Sequence, residues 1–227
     1  MLAMPEITTL KQAQSIAGTL GYPSKMPGTA YGISATLCHV GAKLAKVPGS
    51  TCHGCYALRR HYQSDTVKQA HAARFAGLDN PQWANAVVFM LRRAHGLDGG
   101  TVSANIKVAG WHRWHDSGDI QSTSHLAAIC QVARRTPELR HWLPTREAGI
   151  LAAYIKGGAV IPSNLLIRVS ATMVDGSPSK AFAHTSTVHK ASDAIGHVCP
   201  APAQGNECGA CRACWSRDVA NVSYHVH

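Results

Sequence analysis

Seven of the eight cysteines fall into two groups near opposite ends of the chain, and their spacing is the strongest chemical signal in the sequence. The C-terminal group has three cysteines at C-x2-C-x2-C spacing and a fourth that precedes a proline: Cys199, Cys208, Cys211 and Cys214. This spacing turns sulfurs toward one centre, as in ferredoxin-type iron–sulfur sites. Zinc ribbons more often pair two separated C-x2-C units. The tail therefore predicts an iron–sulfur centre, with zinc as the alternative.

The N-terminal group contains three cysteines without a nearby fourth: Cys38, Cys52 and Cys55. A centre held by three thiolates leaves one iron open to a substrate, a small ligand or a histidine. His39 and His53 are candidate ligands, although a histidine beside cysteines more often donates a hydrogen bond to a ligand. Two arrangements fit: separate 4Fe–4S clusters on the two groups, or one larger assembly on all seven thiolates.

The eighth cysteine has a different environment. Cys130 lies in the apolar, helix-prone stretch LAAICQVA. Free cysteine in such a setting behaves as a small hydrophobic residue. We expect Cys130 to be buried in the core and not to bind metal.

Three short strand-like runs must position any site between the cysteine groups. They are KVAGWHRWH, LRHWLPT and NLLIRVSAT, at residues 107–115, 139–145 and 164–172. Each is separated from the next by a segment of helical composition. This alternation predicts right-handed βαβ units on a parallel sheet. The expected fold is α/β, a partial (β/α) TIM-like barrel, in which the carboxyl ends of the strands build the active site.

Candidate catalytic residues follow these runs. Asp116 and Asp119 suit anchoring of an amine or acid/base chemistry, and the planar fork of Arg146 suits a carboxylate or phosphate. His115 is a further candidate, expected on the same strand face as Arg113. The structural alternatives are a helix cap at Asp119, an ion pair between Arg146 and Asp116, and a core position for His115.

Candidate cofactor-binding residues lie at the same strand ends. Ser117 and Gly118 would allow the backbone to approach a ligand, and Asp119 completes that motif. Arg168 and Ser170 alternate along the third run, as expected for polar residues that line a cleft.

The remaining segments are predicted as follows. Helices are expected at residues 7–20, 57–76, 81–94, 122–135 and 148–156, with an ordered loop between the first helix and Cys38. The last 40 residues contain no convincing long helix and are expected to need a metal to become ordered. We predict one α/β domain over 1–227, with a helix and cluster loop at 1–56, a barrel-like core at 57–190 and a cysteine-rich tail at 191–227.

Composition restricts the class of protein. Hydrophobic residues make up 45% and charged residues 15% of the chain, and no apolar run approaches the ~20 residues of a membrane span. The N-terminus lacks a secretory pattern, so a reducing cytoplasm is expected, where clustered thiols bind metal. The net charge of +10 comes from scattered basic pairs and fits either solubility or a nucleic-acid or phosphate-bearing partner.

Six motifs taken together resemble the phage gene product 88 family. They are SKMPG (24–28), C-x2-C-Y-A (52–57), HDSGD (115–119), PTR (144–146), SNLLIRVSA (163–171) and CPA…C-x2-C-x2-CW (199–215). They occur in the family's order from about residue 21 to the C-terminus. The resemblance implies a phage protein that works in the host cytoplasm, and it implies no particular reaction.

A weaker resemblance is to radical S-adenosylmethionine enzymes. Cys52-x2-Cys55-Tyr56 reproduces the second half of their C-x3-C-x2-C-aromatic motif, and Ser117-Gly118-Asp119 falls where their glycine-rich acidic motif would lie. This resemblance implies a 4Fe–4S cluster on three cysteines with S-adenosylmethionine on the open iron. The first cysteine departs from the pattern, because Cys38 precedes Cys52 by 14 residues.

These observations predict a cluster-dependent redox or radical enzyme that receives electrons from a reductant protein. Two alternatives belong to other classes: a zinc-stapled nucleic-acid-binding module, and an electron carrier without a substrate of its own. The three polar strand ends favour an enzyme, because a simple carrier has no need of a cleft.

Overall fold

The computed structural model describes residues 6–226, except for the side chain of Arg60, and these residues form a parallel seven-stranded sheet. The strands are β1 (Thr29–Tyr31), β2 (Trp111–Trp114), β3 (Arg140–Thr145), β4 (Leu165–Ser170), β5 (Thr185–His189), β6 (His197–Val198) and β7 (Asn221–His225). Their spatial order is β1-β2-β3-β4-β5-β7-β6. The α/β class is therefore confirmed. The sheet is open, because β1 and β6 form its opposite edges, and closure into a barrel is not observed within the described chain.

The first helix precedes β1, and the other five described helices lie between strands, as the βαβ prediction requires. They are α1 (Leu10–Ala17), α2 (His39–Leu44), α3 (Asp65–Gly77), α4 (Trp83–Ala94), α5 (Thr123–Arg134) and α6 (Ala148–Lys156). The predictions at 81–94, 122–135 and 148–156 are confirmed, and Ser122 caps α5 by accepting the backbone N–H of His125. No helix of the described chain is long and apolar enough to cross a membrane.

Two predicted helices have different boundaries. The helix predicted at 57–76 begins only at Asp65, because the residues before it form two 3-10 turns. Tyr56 and Tyr62 in these turns contact Asp116 at the end of β2, through its carbonyl and carboxylate at 2.9 and 3.4 Å. The N-terminal helix ends at Ala17, because Gly18 has a φ of 70°. The sequence predicted that this helix would continue to residue 20.

Four short strands were not predicted. β1 lies in the segment expected to be a loop, and β5, β6 and β7 lie in the last third of the chain. β7 pairs with β5 over five residues, from Thr185↔Asn221 to His189↔His225, and with β6 on its other side. Sheet pairing therefore accounts for part of the order of the tail. The sequence prediction attributed that order to metal alone.

The two faces of the sheet have different partners. The outer face carries Tyr31, Trp114 and Leu143, which share one apolar core with α1, α4, α5 and α6. The inner face is covered by the cysteine-rich tail, where the ring of Trp215 lies 5.0 Å from the ring of Trp142. The tail thus takes the position that would be the interior of a closed barrel.

Buried histidines on the outer face form hydrogen bonds with neighbouring hydroxyl and indole groups. The hydroxyl of Thr29 lies 3.0 Å from Nε2 of His95 and 2.8 Å from Nδ1 of His112. His141 accepts a hydrogen bond from the indole N–H of Trp114 at 3.2 Å. Because an acceptor nitrogen must be unprotonated, His141 is neutral in this arrangement.

We expect the protein to lose stability steeply as the pH falls from about 6.5 toward 4. Burial lowers the pKa of His95 and of His125 to about 4, and that of His141 to about 3. The unfolded chain therefore takes up protons first, and the stability present above pH 6.5 is lost as the pH falls. Each such histidine contributes roughly 3 kcal/mol to the change.

Urea denaturation between pH 7.5 and 4.5 measures this dependence. His125→Gln should flatten the slope, and the exposed His61→Gln is the matched control. A free energy of unfolding that does not change over this range would contradict the prediction.

Candidate metal centre

The loop with Cys52 and Cys55 lies over the carboxyl end of β4. Thr51 fixes it there, because its backbone N–H donates to the carbonyl of Thr172 and its hydroxyl to the carbonyl of Ala171, both at 2.9 Å. The two cysteines therefore lie at the edge of the sheet where parallel α/β folds place their active sites.

Cys38 is held at the same edge by Glu147, which follows β3. One carboxylate oxygen of Glu147 accepts the backbone N–H groups of His39 and Val40, at 3.0 and 2.8 Å. These are the first N–H groups of α2, which have no partner within the helix. Glu147 thus positions the turn that starts at Cys38. The sequence analysis did not identify Glu147, because no local motif indicates a contact between residues that are 108 positions apart.

Two sulfurs of the N-terminal group lie beside a glycine. A Cβ atom on Gly41 would lie 3.4 Å from the sulfur of Cys38 and 3.6 Å from that of Cys52. Burial raises the pKa of the Cys38 thiol to about 12, and Asp119, Cys52 and Cys55 add to that rise. The three cysteines are therefore electrostatic neighbours in a partly buried site.

The two histidines beside these cysteines differ in position. The ring of the exposed His53 lies 3.3 Å from the carbonyl of Ala45. The side chain of His39 is also exposed, and its backbone N–H donates to the carboxylate of Glu147. Within residues 6–226, no three His, Cys, Asp or Glu side chains surround a position suited to a single metal ion. Ligation by His39 or His53 stays a prediction.

The C-terminal group is anchored at both ends. Cys199 directly follows β6 and donates its N–H to the carbonyl of Ser223 on β7 at 2.9 Å. Cys208 donates its N–H to the carbonyl of Lys25, also at 2.9 Å. The tail therefore crosses the inner face from β7 to the segment before β1.

Two sulfurs of this group contact polar side chains. The sulfur of Cys214 lies 3.2 Å from the hydroxyl of Tyr224 on β7. The sulfur of Cys211 lies 3.5 Å from Nε2 of His197. Burial raises the pKa of Cys214 to about 12, and the contact with Tyr224 opposes that rise. Polar donors thus reach the sulfurs of the C-terminal group as well as its backbone.

Arg168 holds the tail on the sheet. Its side chain is fully buried on β4, and its guanidinium donates to six main-chain carbonyls at 2.8–3.2 Å. These carbonyls belong to Thr185, Ala213, Cys214, Ser216, Val219 and Ala220. To bind a cofactor, as the sequence predicts, Arg168 would have to break these hydrogen bonds. Its observed partners are structural.

Arg113 lies on the inner face of β2 without a carboxylate partner among the described residues. Its guanidinium stacks 4.7 Å from the ring centroid of Trp142 on β3, its register neighbour. Nη1 contacts the sulfur of Met26 at 3.2 Å. Nε of Arg113 and the indole nitrogen of Trp142 are buried and find no hydrogen-bond partner in the described chain. Two adjacent N–H donors are thus left for a ligand.

Asp119 bridges the end of β2 to the end of β3. Its carboxylate accepts the hydroxyl of Thr145 at 2.6 Å and the N–H groups of Arg146 and Ile120, both at 2.8 Å. Burial raises its pKa to about 6, against the effect of these bonds. The helix-cap alternative is wrong, because Ser122 caps α5.

Asp116 and Arg146 lie on the same edge but do not form the ion pair considered from the sequence. Among the ion pairs of residues 6–226, none joins them. Arg146 donates Nε–H to the hydroxyl of Thr51 at 3.0 Å, beside Cys52. One oxygen of Asp116, Oδ1, is buried without a partner in the described chain.

The remaining cofactor-binding candidates contact the chain itself. Gly118 has a φ of 74°, and a Cβ there would lie 2.5 Å from Cγ1 of Ile33, so its close approach is to the loop after β1. The carbonyl of Ser117 accepts the N–H of Ile33. The hydroxyls of Ser170 and Ser186 lie 3.0 Å apart. Contacts of these residues with a cofactor stay a prediction.

His115 lies on the outer side, which corrects the expectation that it shares a face with Arg113. Its φ of 50° breaks the alternation of the strand, and its ring lies 5.4 Å from His125 of α5. It is buried, with no hydrogen-bond partner for either ring nitrogen in the described chain. Cys130 is buried in the core, as predicted.

We expect Arg168→Met to lower the free energy of unfolding by at least about 3 kcal/mol, because the carbonyls it binds lose their donors. Urea denaturation measures this loss, and limited proteolysis should cut first within residues 199–220. Arg134→Met is the matched control, since that exposed guanidinium binds one carbonyl, of Val160. Equal effects of the two substitutions would show that the tail does not depend on Arg168.

Comparison with known proteins identifies a family and no individual relative. Searches against curated proteins and against solved structures gave no significant match. The resemblance to radical S-adenosylmethionine enzymes therefore gains no support from them. A family model described as Gene product 88 matches residues 7–217. This match covers both cysteine groups up to Cys214 and every strand except β7, so the chain belongs to the Gene product 88 family.

Proposed function

We propose that this protein is a cluster-dependent redox enzyme with two iron–sulfur centres, one on the three N-terminal and one on the four C-terminal cysteines. One observation carries the proposal. Seven of eight cysteines gather in two groups against a single sheet, one at its carboxyl edge and one on its inner face, and all eight are free thiols. The eighth cysteine, Cys130, lies in the core, so the grouping does not reflect a general preference for burial.

The residues present fit such clusters. Thiolates are the ligands of iron–sulfur clusters and also of zinc. A tetrahedral zinc site needs ligands about 2.3 Å from one point, and no three candidate side chains of the described residues converge in that way. A cluster has several iron atoms and therefore accepts sulfurs that are farther apart. At the N-terminal group, the glycine at position 41 leaves free the space that a Cβ would fill between two sulfurs.

Charge supports the same conclusion. Arg113 is largely enclosed, and a buried cation is unfavourable without a counter-charge. Burial raises the pKa of Cys208, and the charge of Arg113 opposes that rise, so the two groups are close. The charge of Asp116 also acts on Arg113, although no ion pair joins the two residues within the described chain. Metal-bound thiolates would supply further negative charge.

The polar edge of the sheet favours an enzyme over an electron carrier. When bound, iron–sulfur clusters supply one-electron transfer, and a cluster on three cysteines also offers an open iron position. Asp116 Oδ1 and Ser117 Oγ are buried polar atoms without partners in the described chain. Such atoms are unusual in folded proteins and are candidates for contacts with a ligand. S-adenosylmethionine is one ligand to test at this edge.

We expect protein purified without oxygen to be brown and to contain about eight iron atoms and about eight sulfide ions per chain. Replacement of Cys38 and Cys52 by serine should remove about half of the iron, and so should replacement of Cys208 and Cys211. Cys130→Ala is the matched control and should keep all of it. Elemental analysis and absorption spectra make the measurement. Colourless protein with stoichiometric zinc would contradict the proposal and favour the zinc-stapled module.

We also expect Gly41→Ala to impair the N-terminal centre alone. The new Cβ would lie 3.0 Å from Cβ of Cys38, closer than ordinary contact, and would displace its sulfur. Iron content should fall toward that of one centre. Gly149→Ala is the control, because a Cβ at that position of α6 meets nothing within 4 Å. It should keep all iron and gain about 0.5–1 kcal/mol of stability. Full iron in Gly41→Ala would contradict this role of the glycine.

A further inference from the structure

We infer that the two centres differ in reduction potential, with the four-cysteine centre the higher of the two, so that electrons pass from the three-cysteine centre to it. This inference rests on the proposed function. With both clusters bound, one electron would leave the reduced centre on Cys38, Cys52 and Cys55, oxidising it, and would reduce the oxidised centre on the four C-terminal cysteines. The chain sets this direction by surrounding one centre with donors and cations and the other with carboxylates.

The four-cysteine group has hydrogen-bond donors on the inner face of the sheet. The hydroxyl of Tyr224 lies 3.2 Å from the sulfur of Cys214. The buried N–H groups of Arg113 and Trp142 have no partner in the described chain and belong to adjacent strands. Hydrogen bonds to cluster sulfurs stabilise the additional negative charge of the reduced state, and so raise the potential.

Three guanidinium groups add positive charge around the same cysteines. Arg168 donates to the carbonyl of Cys214 at 3.0 Å, and Arg212 to the carbonyl of Cys211 at 2.8 Å. The third, Arg113, is held in place by its stacking on Trp142. The acidic residue nearest in sequence, Glu207, is exposed and pairs with Lys107 at 3.3 Å. Asp116, whose charge acts on Arg113, offsets one of the three cations, so the local balance is positive.

The three-cysteine group has the opposite surroundings. Asp119 and Glu147 are both about 95% buried. Glu147 binds the N–H of His39, the residue after Cys38. Buried carboxylates oppose an added electron, because little water screens them. Arg146, whose charge acts on Cys52, offsets part of this effect. Two carboxylates against one guanidinium leave the centre harder to reduce.

The test is a redox titration of the loaded protein, followed by electron paramagnetic resonance, which separates the signals of the two centres. We expect two potentials. Serine replacement of Cys208 and Cys211 should remove the signal with the higher one. Arg113→Met should lower that potential and leave the other unchanged, and Arg113→Lys should restore most of the shift because it keeps the charge. Tyr224→Phe, which removes only a hydroxyl, should also lower the higher potential.

Glu147→Gln provides the converse measurement, since it removes a charge beside Cys38 and should raise the lower potential alone. Circular dichroism shows whether each variant is folded. Equal potentials, or a higher potential that remains after loss of the C-terminal cysteines, would overturn the inference while leaving both centres in place. Protein that is folded but lacks iron and sulfide would instead refute the proposed function.

Discussion

The buried guanidinium of Arg168 is the interaction on which the inner face depends. It extends from the middle of the sheet and binds six carbonyls, five of which belong to residues 213–220. An arginine has five N–H donors in a rigid fork, so this residue fixes the backbone around Cys214 in several directions at once. The tail has little helix of its own, and these bonds connect it to the sheet before any metal is considered.

The carboxyl edge is organised by a second set of contacts, in which side chains of one strand end bind the backbone of another segment. Asp119 joins the ends of β2 and β3, Glu147 joins β3 to the first turn of α2, and Thr51 joins the cysteine loop to the end of β4. Each contact uses backbone groups that would otherwise lack a partner. Cysteines from separate segments of the chain are therefore brought to one edge by the polar contacts of other side chains.

Sequence reasoning was most successful where the signal is local. The helices α4, α5 and α6 have apolar residues at helical spacing. The two cysteine groups are recognisable because few residues separate their members in the sequence. β1 has only three residues between glycines, and β5 reads TSTVH, a polar segment without an apolar pattern. These strands become recognisable only when their neighbours in the sheet are known, because pairing and burial decide β-structure more than propensity does.

For the candidate site, the sequence indicated which strand ends lie together better than it indicated the contacts of each side chain. The strand ends with Asp116, Asp119 and Arg146 do lie together, as parallel strands require. The roles of Arg113 and Glu147 depend on partners about 100 residues away, which no motif encodes. His115 was placed on the wrong face because a single left-handed residue reverses the strand alternation. Such a conformation is uncommon outside glycine, so a pattern of period two does not anticipate it.

The sheet also separates two kinds of buried polar chemistry. On its outer face, histidines such as His95 and His141 stay neutral, because burial lowers their pKa values and hydroxyl or indole groups occupy their nitrogens. On its inner face, the positive charges of Arg113 and Arg168 lie beside thiols whose pKa values burial raises. Binding of an iron–sulfur cluster would deprotonate these thiols and so place thiolate charge beside the cations. The same step would lower the formal net charge below the +10 of the metal-free chain.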